Sequence, residues 1–102
     1  MPLTKGESKN LGKFIQDKFG GELIRDELFS DGTCEVRIIN FPVNIPRFEI
    51  EEKISDFYKT IGFKRMNEYQ EFIVYKEPRT PASIRIVTLS LLNHSVYIST
   101  GP

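Results

Sequence analysis

An amphipathic segment between Pro46 and Gly62 constrains the fold most strongly. Its apolar residues recur at the spacing of a single helical stripe: Ile50, Ile54, Phe57, Tyr58 and Ile61. Proline suits the first turn of a helix, and glycine readily adopts the conformation that ends one. The pattern predicts a helix over about residues 46–61, whose apolar side must pack against another layer of structure.

The remaining sequence favours strands. The chain has one alanine but 12 isoleucines and 8 phenylalanines, and β-branched and aromatic residues suit a pleated surface. A shorter helix is predicted over about 8–19, ending at Gly20 and Gly21. Strands are predicted at 22–29, 33–41, 63–69, 71–77, 83–92 and 95–100. The order α-β-β-α-β-β-β-β indicates an α+β fold with a mostly antiparallel sheet.

Length and composition fit one folded domain. The chain has 102 residues, within the usual range for a single domain. We expect a flexible terminus over 1–7 and a domain over 8–102. The single cysteine excludes an internal disulfide, and residues 1–20 contain no signal-like apolar run. We therefore expect a cytoplasmic protein with no membrane segment.

Few residues are candidates for catalysis or metal binding. Cys34 and His94 are the types found in a nucleophile–base pair, but Cys34 shares an apolar strand face and His94 falls in a predicted turn. Asp26, Glu27 and Asp31 lack calcium-loop spacing. We expect no catalytic site, no metal and no cofactor.

One stretch resembles part of a known enzyme family. The run 56–64 (DFYKTIGFK) resembles the helix-to-strand junction of the glyoxalase-like, or vicinal oxygen chelate, modules. The β-α-β-β-β order from about Val36 to Thr100 also resembles one such module. That family uses paired modules with His and Glu metal ligands, whereas this chain has one copy and one histidine. The resemblance bears on the local fold and does not bear on activity.

A second resemblance concerns nucleic acid. Residues 62–65 followed by 71–75 are similar to the aromatic strand of an RNA-recognition motif, although Gln70 and Glu71 stand where a glycine is expected. Nucleic-acid binding by a sheet face is therefore one alternative. It would use the basic residues Lys64, Arg65, Lys76, Arg79 and Arg85, with Tyr69 or Tyr75 as the stacking surface.

The net charge of zero results from segments of opposite sign. Fourteen basic residues balance fourteen acidic ones. The first predicted hairpin is acidic, and we expect Asp26, Glu27, Asp31 and Glu35 to form a patch that contacts a basic protein partner. Residues 86–102 carry no Lys, Arg, Asp or Glu.

The predicted strand 83–92 is apolar on both faces. Ile84 and Ile86 lie on one face, and Val87, Leu89 and Leu91 lie on the other. Such a strand either lies in the middle of a sheet with both faces covered, which we favour, or meets a partner. In the second case Leu89, Leu91, Val96 and Ile98 would form a strand-pairing interface, including one that makes a homodimer.

These patterns favour a small non-enzymatic protein-binding module of the inhibitor, immunity or adaptor type. One alternative is the nucleic-acid-binding domain described above. The other is a ligand-binding protein or enzyme subunit with a pocket between helix 46–61 and the sheet, lined by Tyr58, Tyr75 or Tyr97.

Overall fold

In the part of the chain that the structure describes, two helices and six strands follow one another in the order predicted. The computed structural model describes residues 5–28, 33–77 and 84–101, with side chains for 11–27, 33–77 and 84–101. The elements are α1 (Lys5–Phe19), β1 (Glu22–Leu28), β2 (Cys34–Ile39), α2 (Arg47–Thr60), β3 (Lys64–Glu68), β4 (Phe72–Lys76), β5 (Ile84–Leu92) and β6 (Ser95–Gly101).

All six strands belong to one antiparallel sheet with the order β1-β2-β6-β5-β4-β3. β5 and β6 form a hairpin in its centre, and β6 pairs with β2 on its other side. The central position predicted for strand 83–92 is confirmed. β5 and β6 already have neighbours on both sides, so they do not offer a complete free edge to a second chain.

The sheet has two unlike faces, called here the inner and the outer face. Both helices pack on the inner face, whose buried residues include Val36, Ile38, Ile73, Tyr75, Val87, Leu89, Val96 and Ile98. Alternate residues along each strand point to the outer face. There Val74, Ile86, Thr88 and Tyr97 stay partly exposed. Of the two cover layers that β5 was expected to have, the helices provide one.

The inner core is filled by the stripe that predicted the long helix. Ile50, Ile54 and Tyr58 of α2 are fully buried. The Tyr58 ring stacks on Tyr75 of β4, with 4.8 Å between ring centroids. Phe57 meets Phe14 of α1 edge-on at 5.5 Å, so aromatic contacts join the two helices to each other and to the sheet.

The glycine pair after α1 permits a tight connection into β1. Gly20 has φ +97°, and its N–H donates to the Gln16 carbonyl at 2.8 Å. Gly21 has φ +89°, and a Cβ atom there would lie only 2.7 Å from a methyl carbon of Ile38. A side chain at Gly21 would therefore force apart the chain segments that meet there.

The helix and strand predictions agree with the structure to within a few residues. α1 begins at Lys5, three residues earlier than predicted, and α2 spans Arg47–Thr60 instead of 46–61. The predicted turn at 30–32 and the predicted loop at 78–81 lie outside the described residues. Four strands follow α2, one more than in the β-α-β-β-β order of the oxygen chelate resemblance. Neither of the two helices is long and apolar enough to cross a membrane, as far as the described residues show.

Candidate functional site

The leading candidate site is an apolar groove at the end of the sheet where β5 turns into β6. One wall is the segment after β2, and the other is the β5–β6 turn. The groove has a volume of about 190 Å³ and is lined by Phe41, Pro42, Val43, Ile45, Ile50, Leu91, Leu92, Asn93, His94 and Ser95. Val43 and Leu92 on its rim are 72% and 70% exposed. Apolar side chains this exposed around a concave surface are typical of binding sites.

Backbone geometry and two hydrogen bonds hold the segments around the groove in place. Asn93 and His94 have φ of +49° and +63°, which is the conformation of a two-residue turn with the twist of a hairpin. The Phe41 N–H donates to the His94 carbonyl at 2.8 Å and joins the two walls. The Arg47 guanidinium donates to the Leu89 carbonyl at 2.7 Å and fixes the start of α2 beside β5. The groove is thus formed before any partner arrives, which lowers the entropic cost of binding.

The size and lining of the groove favour a protein side chain over a small molecule. Small-molecule sites usually enclose about 300–1,000 Å³, and this groove is smaller. The described residues of its lining include no Lys, Arg, Asp or Glu, so they offer no fixed charge to orient an ionic ligand. A single apolar side chain inserted in such a recess is the usual anchor of a protein–protein contact.

The described part of the first hairpin brings together two of the four residues predicted to form an acidic patch. Glu27 and Glu35 lie side by side on the outer face, but the Arg25 guanidinium contacts both, at 3.2 and 3.0 Å. Asp26 follows the alternation of the strand and points to the inner face, against Gly12 of α1. Asp31 lies outside the described residues. The carboxylates available to a basic partner are therefore fewer than the sequence suggested.

The basic residues predicted to bind nucleic acid are also divided between the two faces. Lys64 and Lys76 are paired in register on the outer face. Arg65 points inward, where it forms ion pairs with Glu52 and Glu68.

The remaining two arginines do not restore that basic patch. Arg85 is only 3% exposed and lies 3.5 Å from Glu77, which is itself buried. Arg79 lies outside the described residues. No continuous basic surface is formed by the described members of the set.

The strand-pairing residues have two different environments. Leu89, Val96 and Ile98 are buried beneath the helices and belong to the core. They do not form a surface for a second chain, because the strands that carry them are central and their side chains point inward. Leu91 is 37% exposed and lines the groove. Of the four, only Leu91 belongs to the candidate site.

The tyrosines proposed to line a pocket do not surround a common space. Tyr58 and Tyr75 fill the layer between α2 and the sheet. Tyr97 lies on the outer face, where the Arg37 guanidinium sits 5.0 Å from its ring centroid. Burial raises the pKa of Tyr58 far above its ordinary value, and the nearby Cys34 thiol adds to this. Burial also raises the pKa of Tyr75. The phenols of Tyr58 and Tyr75 are therefore neutral at physiological pH.

Cys34 and His94 do not form a catalytic pair. Cys34 begins β2 opposite Thr100, whereas His94 lies in the turn before β6. About six residues of strand, or roughly 20 Å, separate the two ends. Burial raises the pKa of the Cys34 thiol, whose sulfur lies 2.7 Å from the Thr100 hydroxyl oxygen. A neutral, enclosed thiol is a poor nucleophile.

A second cavity of about 430 Å³ lies beside the C-terminal half of α2, and most of the residues that line it are charged or polar. Its lining includes Ser55, whose hydroxyl lies 2.8 Å from the Tyr75 hydroxyl and accepts a hydrogen bond from Arg65 at 3.1 Å. Burial raises the pKa of Tyr75. Neither a neutral phenol nor a guanidinium removes a proton from serine, and the Ser55 hydroxyl oxygen holds the Arg65 guanidinium in place.

No cluster of three or more His, Cys, Asp or Glu residues suited to a metal ion occurs in the described part of the chain. Comparison with known protein families, with curated proteins and with solved structures found no match.

Sequence reasoning missed the groove because its two walls come from distant segments. Two local signals were nevertheless present. Val43 and Ile45 are apolar residues in a short segment between Pro42 and Pro46, and Leu92 directly precedes a turn. Exposed apolar residues in such positions are typical of an interaction surface when they form a contiguous patch.

Proposed function

We propose that this protein is a small non-enzymatic protein-binding module, of the inhibitor, immunity or adaptor type, whose groove receives an apolar side chain from a partner. The observation that carries the proposal is the pair of rim residues, Val43 and Leu92, left largely exposed beside a preformed recess. Burial of an apolar anchor there stabilises a complex by about 1.5–3 kcal/mol. The rim contributes further by excluding water from the anchor.

The partner inferred from the groove differs from the one that the sequence suggested. The predicted acidic patch would bind a basic partner, but the Arg25 guanidinium already contacts both Glu27 and Glu35. The described residues that line the groove include no Lys, Arg, Asp or Glu. The groove therefore favours an apolar contact instead. We retain the cytoplasm as the proposed compartment, because a buried reduced cysteine fits a reducing environment.

Photo-crosslinking from the rim of the groove tests the proposal. A photoreactive amino acid replaces Val43, and the purified protein is irradiated in a lysate of its source cells. The control carries the same amino acid in place of Ile24, which is 52% exposed on the edge strand β1, two strands away from β6. We expect a discrete crosslinked partner from position 43 and none at position 24.

Competition then identifies the groove as the binding surface. An excess of unlabelled wild-type protein should abolish the crosslink. The same excess of the Leu92→Asp variant should not, because a carboxylate on the rim opposes apolar docking. Leu92 is 70% exposed, so we expect the variant to remain folded, as circular dichroism would verify. Equal competition by Leu92→Asp, equal crosslinking from position 24, or no crosslink from position 43 would refute the proposal.

A further inference from the structure

The outer face of the sheet leaves an apolar surface uncovered on the central strand β5. Val87 and Leu89 point inward and are buried, whereas Ile84 is 40% exposed and Ile86 is partly exposed on the other side. Antiparallel sheets that face water on one side usually alternate apolar and polar residues. β5 departs from this pattern because Ile84 and Ile86 point to the outer face while Arg85 is buried, so its outer face carries apolar surface.

Neighbouring strands extend this surface into a patch. The strand register places Val74 beside Ile86, and the Tyr69 ring stacks on Phe72 with 4.7 Å between centroids. We call the exposed and partly exposed residues Tyr69, Phe72, Val74, Ile84 and Ile86 the β4–β5 patch. It lies on the outer face, whereas Ile50, which lines the groove, belongs to the inner core.

Two lysines flank the patch on one side. Lys76 lies beside Ile84 in the register, and Lys64 lies opposite Lys76. Within the described part of the chain neither lysine forms an ion pair. Like charges directly opposite each other on neighbouring strands repel. A carboxylate placed between the two ammonium groups would relieve that repulsion.

We infer that the β4–β5 patch binds a segment of another protein in which carboxylates flank apolar side chains. The apolar residues of the segment would cover Val74 and Ile86, and its carboxylates would reach Lys64 and Lys76. On the side that carries Lys64 and Lys76, the charge is complementary to an acidic partner, the opposite sign from the partner predicted from the first hairpin, whereas Glu71 lies at the other end beside Phe72.

A second copy of this chain fits the patch less well. The outer-face carboxylates Glu27 and Glu35 of any copy already contact Arg25. They would have to exchange that partner for the lysines. Nucleic acid also fits less well, because affinity for it requires contacts to several phosphates and two lysines flank this patch among the described residues. The rings of Tyr69 and Phe72 already stack on each other, which removes one face of each from base stacking.

Selection from a random displayed peptide library tests the inference. The library is panned on the wild-type protein, and enriched peptides are synthesised and measured by fluorescence anisotropy. We expect enriched sequences to combine Asp or Glu with apolar residues. The Lys64→Glu/Lys76→Glu variant should bind them at least tenfold more weakly, as should the wild-type protein when their acidic residues are replaced by lysine.

Matched controls separate this surface from the rest of the molecule. Lys18→Glu/Lys59→Glu makes the same charge change on the exposed sides of the helices and should leave the affinity unchanged. Leu92→Asp should also leave it unchanged, which separates this inference from the proposed function of the groove. Circular dichroism confirms that each variant is folded.

Several outcomes would overturn the inference. They are failure to enrich any peptide, enriched peptides without acidic residues, and affinities that do not change in Lys64→Glu/Lys76→Glu. Tighter, lysine-dependent binding of a single-stranded RNA 12-mer would assign the patch to nucleic acid. A dimer in analytical ultracentrifugation that the double variant abolishes would assign it to a second copy of the chain.

Discussion

The inner and outer faces of β5 have similar apolar content but different surroundings. On the inner face Val87 and Leu89 lie beneath the helices, and on the outer face Ile84 and Ile86 border solvent. The difference arises because both helices of the fold lie on one side of a six-stranded sheet. An apolar strand face therefore predicts that something covers it, but does not say whether the cover belongs to the same chain.

The largest expected difference between the faces comes from truncating one isoleucine on each. Ile98 is fully buried on the inner face, so Ile98→Ala should lower the free energy of unfolding by about 2–5 kcal/mol. Ile86→Ala on the outer face should cost about 1 kcal/mol, because less surface is removed from water there. Urea denaturation followed by circular dichroism measures both. Equal losses would show that the outer face is covered as fully as the inner one.

A smaller difference is expected between ion pairs on the two faces. The Glu77–Arg85 pair is buried on the inner side, whereas Glu35 pairs with Arg25 on the outer face. Glu77→Gln removes a buried carboxylate that faces the buried Arg85 guanidinium and should cost about 3 kcal/mol. Glu35→Gln should cost less than about 1 kcal/mol. The same denaturation experiment applies, and a loss below 1 kcal/mol for Glu77→Gln would contradict the assignment of a buried pair.

The smallest effect concerns the buried phenol of Tyr58 and appears only at alkaline pH. Burial raises its pKa above the ordinary 10.0, so the unfolded chain loses this proton near pH 10 while the folded chain keeps it. The contribution of this group to the free energy of unfolding is fully present below pH 10. It decreases as the pH rises above 10, by up to about 1.4 kcal/mol per pH unit. Tyr58→Phe should remove that contribution from the slope measured between pH 10 and 11.

The same variant has a second expected outcome at neutral pH. The Tyr58 hydroxyl is buried and forms no hydrogen bond to the described residues, although Thr100 lies near enough to favour its ionised form slightly. Removing such a group should leave the free energy of unfolding unchanged or raise it by about 1 kcal/mol. A large loss at pH 7, or an unchanged alkaline slope, would show that the hydroxyl has a partner in the folded protein.

The elements of the fold were predictable because their signals are local. The stripe from Ile50 to Ile61 defined α2, and the glycine pair at 20–21 marked the end of α1. The charged surfaces were not predictable in the same way. Asp26 and Glu27 are neighbours in sequence and point to opposite faces of β1, and the Arg25–Glu35 contact depends on the register between β1 and β2.

The candidate site was not predicted as a site, although two residues of its lining, Leu91 and His94, were named for other roles. Its walls come together through the hydrogen bond from Phe41 to the His94 carbonyl, which joins segments far apart in sequence. Residue patterns within one segment do not carry that information. The apolar outer face of β5 was present in the sequence, but its exposure follows from where the helices lie.

The position of β6 has a consequence for how the chain folds during synthesis. β6 is the last of the six strands in the sequence, yet it lies between β2 and β5. Until β6 has been synthesised, the β1–β2 ribbon and the β3–β5 ribbon have no strand to join them. The final strand-pairing step bridges the two ribbons over a long sequence separation, which is slow in proteins of this kind. The growing chain is therefore most exposed to misassociation just before its last strand emerges.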